Sequence, residues 1–269
     1  MFSVVTEMPE RINVADFDLA STLMCGQAFR WTSGSDGWFT GIVGQRACRL
    51  RQTGNLLEGD IDPRYLGLNE SLLDIVATFP EVDALQQAVR QHWGLRVLRQ
   101  EPWETLASFI ASSTKQIVQI RQIVENLARR FGQPLSENAF AFPDATTLAK
   151  ATVAQLRTCK LGFRAEYLLA AARMVDQGKI RLEALPALDY ERALEELTKI
   201  HGVGEKIANC TLLFSCGFDQ AFPIDVWMQR ALHRLGWRGK KITRAAVLKH
   251  FGPYAGWAQQ YLFYNERAR

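Results

Sequence analysis

Four residues, His201-Gly202-Val203-Gly204, separate two apolar runs of helical spacing, and they restrict this chain more than any other stretch. Upstream, Leu194, Leu197 and Ile200 mark one face of a helix, and downstream Ile207, Ala208 and Leu212 mark a face of the next. So short a link joins two helices only by folding straight back, which predicts a helix–hairpin–helix over about 189–216. Gly202 and Gly204 are expected to take backbone conformations that side chains resist, leaving the Gly202-Val203-Gly204 amides exposed. Exposed amides at a helix start form a cradle for an anion such as phosphate, although a plain interhelical turn also uses glycine.

Lys206 falls inside the first turn of the second helix, four residues before Cys210, so the two share a face with Asn209 beside them. A helix start already carries partial positive charge, and partial burial would also favour the neutral amine. A lysine kept partly neutral is a nucleophile, whereas one on an open surface is only a solvated cation. About twenty residues on, Asp225 in P-I-D-V-W-M-Q-R precedes another helical run. It is an N-cap candidate, and a carboxylate oriented by capping could also face a developing cation.

The rest of the chain frames that motif. The first sixty residues read as strands in an antiparallel meander: F-R-W-T, G-W-F-T-G-I-V-G-Q and A-C-R-L-R-Q-T, closed by turn residues in Q-T-G-N-L-L-E-G-D-I-D-P. From Glu70 onward the period is helical. One run after Pro102 carries Leu106, Phe109, Ile110, Ile117, Ile120, Val124, Leu127 and Phe131, and others cover 145–157, 164–177, 189–200, 205–216, 226–235, 243–250 and 254–267. The expected fold is α+β: a β-rich N-terminal domain over 1–98 and a helical domain over 99–269. Five cysteines, odd in number and without a C-x-x-C pair, argue for reduced thiols in an intracellular compartment and against a four-cysteine metal site. No run of 18 apolar residues predicts a membrane span, and a net charge of +4 permits a polyanionic partner without demanding one.

The combination G-V-G-E-K (202–206) and P-I-D-V (223–226) resembles the helix–hairpin–helix DNA glycosylase superfamily. Within it, C-G-Q-A-F-R-W (25–31), L-R-Q-E-P-W-E-T-L-A-S-F-I-A-S-S (98–113), L-G-F-R-A-E-Y (161–167) and G-P-Y-A-G-W-A-Q-Q-Y-L-F (252–263) are similar to the 8-oxoguanine DNA glycosylases. These segments span nearly the whole chain in one order, which is far more specific than the hairpin alone. The resemblance implies a DNA repair enzyme in which Lys206 attacks the anomeric carbon, expels the base and holds the sugar as a Schiff base. Asp225 would stabilise the cationic sugar, and β-elimination would then nick the strand. The target base must be flipped into a pocket. By the same resemblance Cys210 and Phe263 sandwich it, Gln259 contacts its Watson–Crick edge, and the Gly26 carbonyl accepts the N–H that oxidation adds to the five-membered ring. A site that hydrogen-bonds one specific N–H can reject the analogue lacking it by as much as roughly 10⁴-fold. The partner implied is duplex DNA containing 8-oxoguanine, the protein is expected to act as a monomer, and the chemistry requires no cofactor.

The chain also departs from the family pattern. Thr114 stands where a plug asparagine is usual and Gln119 where an arginine reads the orphaned cytosine. Phe163 and Arg164 match the aromatic wedge and the second cytosine-reading arginine, and Trp227 replaces a more usual histidine. With one reader kept and one lost, opposite-base preference is expected to be relaxed. Basic residues in H-R-L-G-W-R-G-K-K-I-T-R (233–244) are candidates for phosphate contact. Three rival readings compete with this one. An alkylpurine glycosylase often lacks the hairpin lysine. An endonuclease III-like enzyme needs four cysteines near the C-terminus, yet none follows Cys216. A non-enzymatic binding module would need neither Lys206 nor Asp225.

Overall fold

Alternating apolar residues and tight glycine turns fold the N-terminal region into a single antiparallel sheet. The computed structural model describes residues 10–237 and 242–267. Its sheet holds β1 (Arg11–Asn13), β2 (Trp31–Ser33), β3 (Phe39–Val43), β4 (Arg46–Thr53) and β5 (Leu56–Gly59), in the order β1-β5-β4-β3-β2. Gly44 and Gly54, both at positive φ, make the turns into β4 and out of it. Trp31 lies opposite Gly41, where a Cβ would stand 2.5 Å from the indole, and its Nε1 donates to the Tyr65 hydroxyl at 2.9 Å.

The meander was legible; its far edge was not. Leu56–Gly59, expected to belong to a closing turn, is a strand paired on both sides, with Ile12 opposite Leu57 on one flank and Gln52 opposite it on the other. Four residues beside two glycines look like a turn locally, and only pairing with two neighbours makes them a strand.

Short helices α1 (Leu19–Met24), α2 (Leu72–Ala77) and α3 (Asp83–Gln91) precede the helical body, whose elements are α4 (Pro102–Ser112), α5 (Ile117–Phe131), α6 (Ala145–Ala149), α7 (Val153–Thr158), α8 (Arg164–Asp176), α9 (Tyr190–Thr198), α10 (Glu205–Ser215), α11 (Val226–Arg234), α12 (Arg244–Phe251) and α13 (Ala255–Arg267). Most starts carry a side-chain cap: Asp18, Ser71, Glu101 ahead of Pro102, Asp144, Thr152, Asp189, Asp225 and Thr243. The long run after Pro102 is two helices, broken at Ser113–Gln116 by Thr114 at φ 56°. The 145–157 run is likewise split, where Thr152 caps a new helix. A two-stranded hairpin, β6 (Pro134–Ser136) with β7 (Ala139–Phe140), and a 3₁₀ turn over Leu182–Ala187 had no clear sequence signal.

Two apolar cores result. The smaller lies under the sheet and contains Val14, Leu23, Trp31, Leu50, Leu57 and Leu98. The larger fills the helical body and also takes in Leu72 and Ile75 of α2, Leu85 and Val89 of α3, and Phe29. At its centre, every α4 residue from Thr105 to Ser112 is buried, and α4 packs on α10, α5 and α8.

Residues 96–100 bolt the two cores together. The Gln27 side chain, 1% exposed, donates to the Arg96 and Thr22 carbonyls at 2.8 Å each and accepts from the Leu98 amide at 2.9 Å. The Gln100 amide donates to the Phe214 carbonyl at the end of α10 (2.7 Å), while its side chain donates to the Gln27 carbonyl (2.7 Å). Arg99 binds Asp219 at 2.7 Å, and Trp257 of α13 donates to the same carboxylate at 2.8 Å. The loop carrying Gly26, the end of α10 and the start of α13 are thereby held in one frame.

Candidate active site

That frame borders a half-open cavity of about 360 Å³ whose walls include Gly26, Lys206, Cys210, Asp225, Gln259 and Phe263. All six residues expected to catalyse the reaction or grip the base therefore meet in one place, although 237 positions separate Gly26 from Phe263.

Lys206 and Cys210 come from one face of α10, as their spacing predicts. The Lys206 amine reaches the Ser112 hydroxyl at 3.1 Å and stands 5.0 Å from the centre of the Phe109 ring. Ser112 gives its own hydrogen to the Phe109 carbonyl at 2.7 Å, so towards the lysine it can only accept. Asp225 caps α11: its Oδ1 accepts from the amides of Trp227 and Met228, both at 2.9 Å. Those bonds fix the carboxylate and leave Oδ2 outside the cap. Burial pushes the Cys210 thiol up to about 11, with Asp225 adding to the rise and Lys206 opposing it. Both charges thus lie close to the sulfur, which remains a neutral, polarizable surface at physiological pH.

On the facing wall Gly26 has φ +96°, a conformation that only glycine adopts freely. A Cβ there would also come within 2.6 Å of Ile117 Cδ1. Gln259 and Gln260 are 3% and 2% exposed, and Gln259 Oε1 and Gln260 Nε2 have no hydrogen-bond partner among the described residues. Leaving a buried amide unpaired costs about 1–3 kcal/mol, so the pair marks a pocket built for a polar occupant.

The remaining expected residues lie outside the cavity and divide. Gly202 meets the expectation twice: its φ is +86°, and a Cβ would fall 2.2 Å from the Tyr167 ring. Gly204 corrects it. Its φ of −93° suits any residue and a Cβ there would touch nothing, so neither strain nor internal crowding requires a glycine. It is also the N-cap of α10, with no side chain capping the helix amides. Val203 is buried between the two glycines and its amide donates to the Ile200 carbonyl at 3.0 Å, so that amide is not left free as expected: the tight turn closes on it. Phe163 is 54% exposed. Arg164 is turned inward: it is 3% exposed, and its guanidinium donates to the carbonyls of Ser113 and Leu161 and to the Thr114 hydroxyl (2.6 Å). Thr114 thus engages the arginine rather than standing apart from it. The Gln119 side chain accepts from the Gln116 amide at 3.1 Å, closing a capping box at the start of α5. Of the basic stretch 233–244, residues 238–241 lie outside the described residues.

Sequence reasoning assigned no role to Phe109, Ser112, Lys115, Gln260 or Arg267, which also line the cavity. A signal existed for two of them. Ser112 follows Phe109 by three residues and Arg267 follows Phe263 by four, spacings that share a helix face.

Residues 107–254 match the family profile of the HhH-GPD superfamily base excision DNA repair proteins. The chain belongs to that superfamily. Its N-terminal region, 11–61 and 61–106, matches the N-terminal domain of 8-oxoguanine DNA glycosylase. This HhH-GPD chain is similar to the N-glycosylase/DNA lyase of Saccharomyces cerevisiae, with 29% identity over 95% of this chain and 85% of that protein. It superposes on the 8-oxoguanine glycosylase/lyase of Clostridium acetobutylicum, solved with double-stranded DNA containing cytosine opposite 8-oxoG. There the TM-score is 0.90 and the identity 29%, covering 97% of this chain and 96% of that one. MBOgg1, solved with a low-affinity DNA ligand, gives a TM-score of 0.90 at 33% identity, covering 96% and 95%. Among the described residues no helix is long and apolar enough to cross a membrane.

Proposed function

We propose that this HhH-GPD protein is a bifunctional 8-oxoguanine DNA glycosylase/lyase that works through a Schiff base on Lys206. The observation that carries the reading is the Lys206 amine. It lines a concave, half-open cavity together with a capped carboxylate, two glutamines each with an unpartnered amide atom and an aromatic ring, where a solvated surface lysine would face open water. The family match and the activities its relatives are named for point the same way.

The residues divide the work. The flipped base slides between the Cys210 sulfur and the Phe263 ring. Gln259 takes its Watson–Crick edge, and the Gly26 carbonyl accepts the N7–H of the oxidised base. Unmodified guanine presents a lone pair at that atom and is repelled. Lys206 bonds to C1′ as the free amine the reaction requires, with Ser112 accepting one of its hydrogens and so aiming it. The C1′–N9 pair leaves with the base, and the Asp225 carboxylate stabilises the oxocarbenium character of the sugar at that moment. The new secondary ammonium loses a proton, which neutralises the departing base. The sugar ring then opens to the Schiff base, whose acidified C2′–H permits β-elimination of the 3′ phosphate. Outside the pocket, the uncapped amides at the start of α10 and the side-chain-free Gly204 suit close approach of a DNA phosphate, while exposed Phe163 enters the stack.

Borohydride trapping on an 8-oxoguanine duplex tests the reading. Wild type should give a covalent protein–DNA adduct. Lys206→Gln should give none and slow base release by about 10³-fold or more, while still binding the duplex. A protein that only grips phosphates gives no adduct in either form.

Opposite-base preference is relaxed, because Gln119 is occupied in a helix cap and the Arg164 guanidinium is occupied by Ser113, Thr114 and Leu161. Single-turnover excision opposite C, A, G and T should therefore agree within about a hundredfold, or 2.7 kcal/mol. A larger spread would require Arg164 to leave its carbonyl partners on binding DNA.

A further inference from the structure

Arg267 is the last described residue of α13, one helical turn beyond Phe263, and it lines the base cavity. Its guanidinium carbon stands 5.6 Å from the centre of the Phe263 ring. Its Nη1 lies 3.4 Å from the point that a Cβ on Gly26 would occupy. A second guanidinium is close by: Arg121, whose buried Nε has no partner among the described residues and whose Nη2 reaches only the Met24 sulfur at 3.4 Å. Burial and the Arg267 charge both hold the Arg121 pKa below its ordinary value. Two cations therefore meet behind the Gly26 loop, and among the described residues neither forms an ion pair with a carboxylate. Such an arrangement is unfavourable unless negative charge arrives.

The bound base would bring that charge. In the proposed pose the Gly26 carbonyl accepts from N7–H, and two carbonyl oxygens, O6 and O8, flank N7 on the base. A guanidinium beside Gly26 faces that edge. When the C1′–N9 bond breaks, its electron pair spreads into the purine and onto these oxygens. A fixed donor aimed where charge develops, inside a concave pocket, stabilises the transition state more than the ground state.

We propose that Arg267 is a catalytic residue for base departure: its guanidinium donates to the carbonyl edge of the flipped base and stabilises the negative charge left on it. The inference rests on the glycosylase reading above. Lys206 still forms the bond to C1′, the C1′–N9 pair still moves onto the base, and the proton still comes from the new ammonium. Arg267 only lowers the cost of holding that pair before the proton arrives. Purines that carry an amino group at C6 would meet donor with donor and be disfavoured.

The test compares two substrates. Arg267→Met keeps the length of the side chain and removes the charge, and Arg267→Lys restores a charge without the planar fork. Single-turnover release of 8-oxoguanine should fall about 10²-fold in Arg267→Met and recover in part in Arg267→Lys. Nicking and borohydride trapping on a duplex with a preformed abasic site should change less than threefold, because no base remains to leave. An equal fall on both substrates would overturn the proposal and make Arg267 a phosphate contact or a structural residue. Unchanged 8-oxoguanine release in Arg267→Met would overturn it as well. Failure of the underlying reading looks different, because wild type itself would then give no adduct on either duplex.

Discussion

Two glycine turns belong to the proposed DNA-binding surface, and they are held in opposite ways. The Gly26 loop is fixed from behind by a polar network: Gln27 alone joins Thr22, Arg96 and Leu98, and Gln100 closes the ring. The hairpin turn has no such network. Gly202 is locked by the Tyr167 ring, while a Cβ on Gly204 would meet nothing within 4 Å. The difference teaches what each turn is for. A carbonyl that must read one N–H on a base needs a rigid mount, since a shift of an ångström destroys the discrimination. Amides that hold a phosphate need chiefly to be left uncovered.

Breaking the first mount should have the largest effect. Gln27→Ala leaves the Leu98 amide and the Arg96 carbonyl without their partner inside the protein and the Thr22 carbonyl with only the weak Cys25 thiol donor, a loss of about 3–5 kcal/mol. Urea unfolding measures it, and a loss below about 1 kcal/mol would mean that the loop is held by something else.

The hairpin should split under the same probe. Gly202→Ala forces a positive φ on alanine and drives a methyl group into the Tyr167 ring, a loss of about 2–4 kcal/mol. Gly204→Ala should cost no more than about 1 kcal/mol, the difference between glycine and alanine as an N-cap. It should nevertheless weaken duplex binding about tenfold, which is 1.4 kcal/mol, because the methyl group stands where a phosphate would approach. Equal stability losses in the two variants, read by urea unfolding, would remove the distinction drawn between these glycines.

A smaller effect separates the turns by pH. Glu104, half-buried near the foot of α4, is pushed up to about 7 by burial, with Glu101 adding to the rise and Arg30 opposing it. Arg30 belongs to the segment that follows Gly26 and has Nε and Nη1 without partners among the described residues. Because the folded carboxyl binds its proton more tightly than the unfolded one, its contribution is fully present at low pH. It is lost as pH rises from about 4.5 to about 7, costing on the order of 1–3 kcal/mol. Glu104→Gln should flatten stability across that window and be the more stable form above it. A Glu104→Gln protein with the same pH slope as wild type would place the titration elsewhere.

Local regularities carried a good deal of this. Helical period placed nearly every helix within one or two residues, from α8 through α13, since an amphipathic face repeats along the chain regardless of its neighbours. The spacing of Lys206 and Cys210 by itself puts them on one face, and Asp225 caps a helix where its position suggested. The family motifs named the six residues that meet in the cavity.

What needed the folded molecule was every relation between distant positions. Leu56–Gly59 became a strand only through partners on both flanks. The reason for a glycine at 204 changed once its surroundings were known, and Arg164 proved to be bound by carbonyls on its own side of the molecule. Ser112 beneath the lysine and Arg267 beside Gly26 come from helices whose approach no periodicity encodes. A sequence pattern fixes which way a side chain points along its own element; packing between elements sets its distance to everything else, and the chemistry of this cavity depends on those distances.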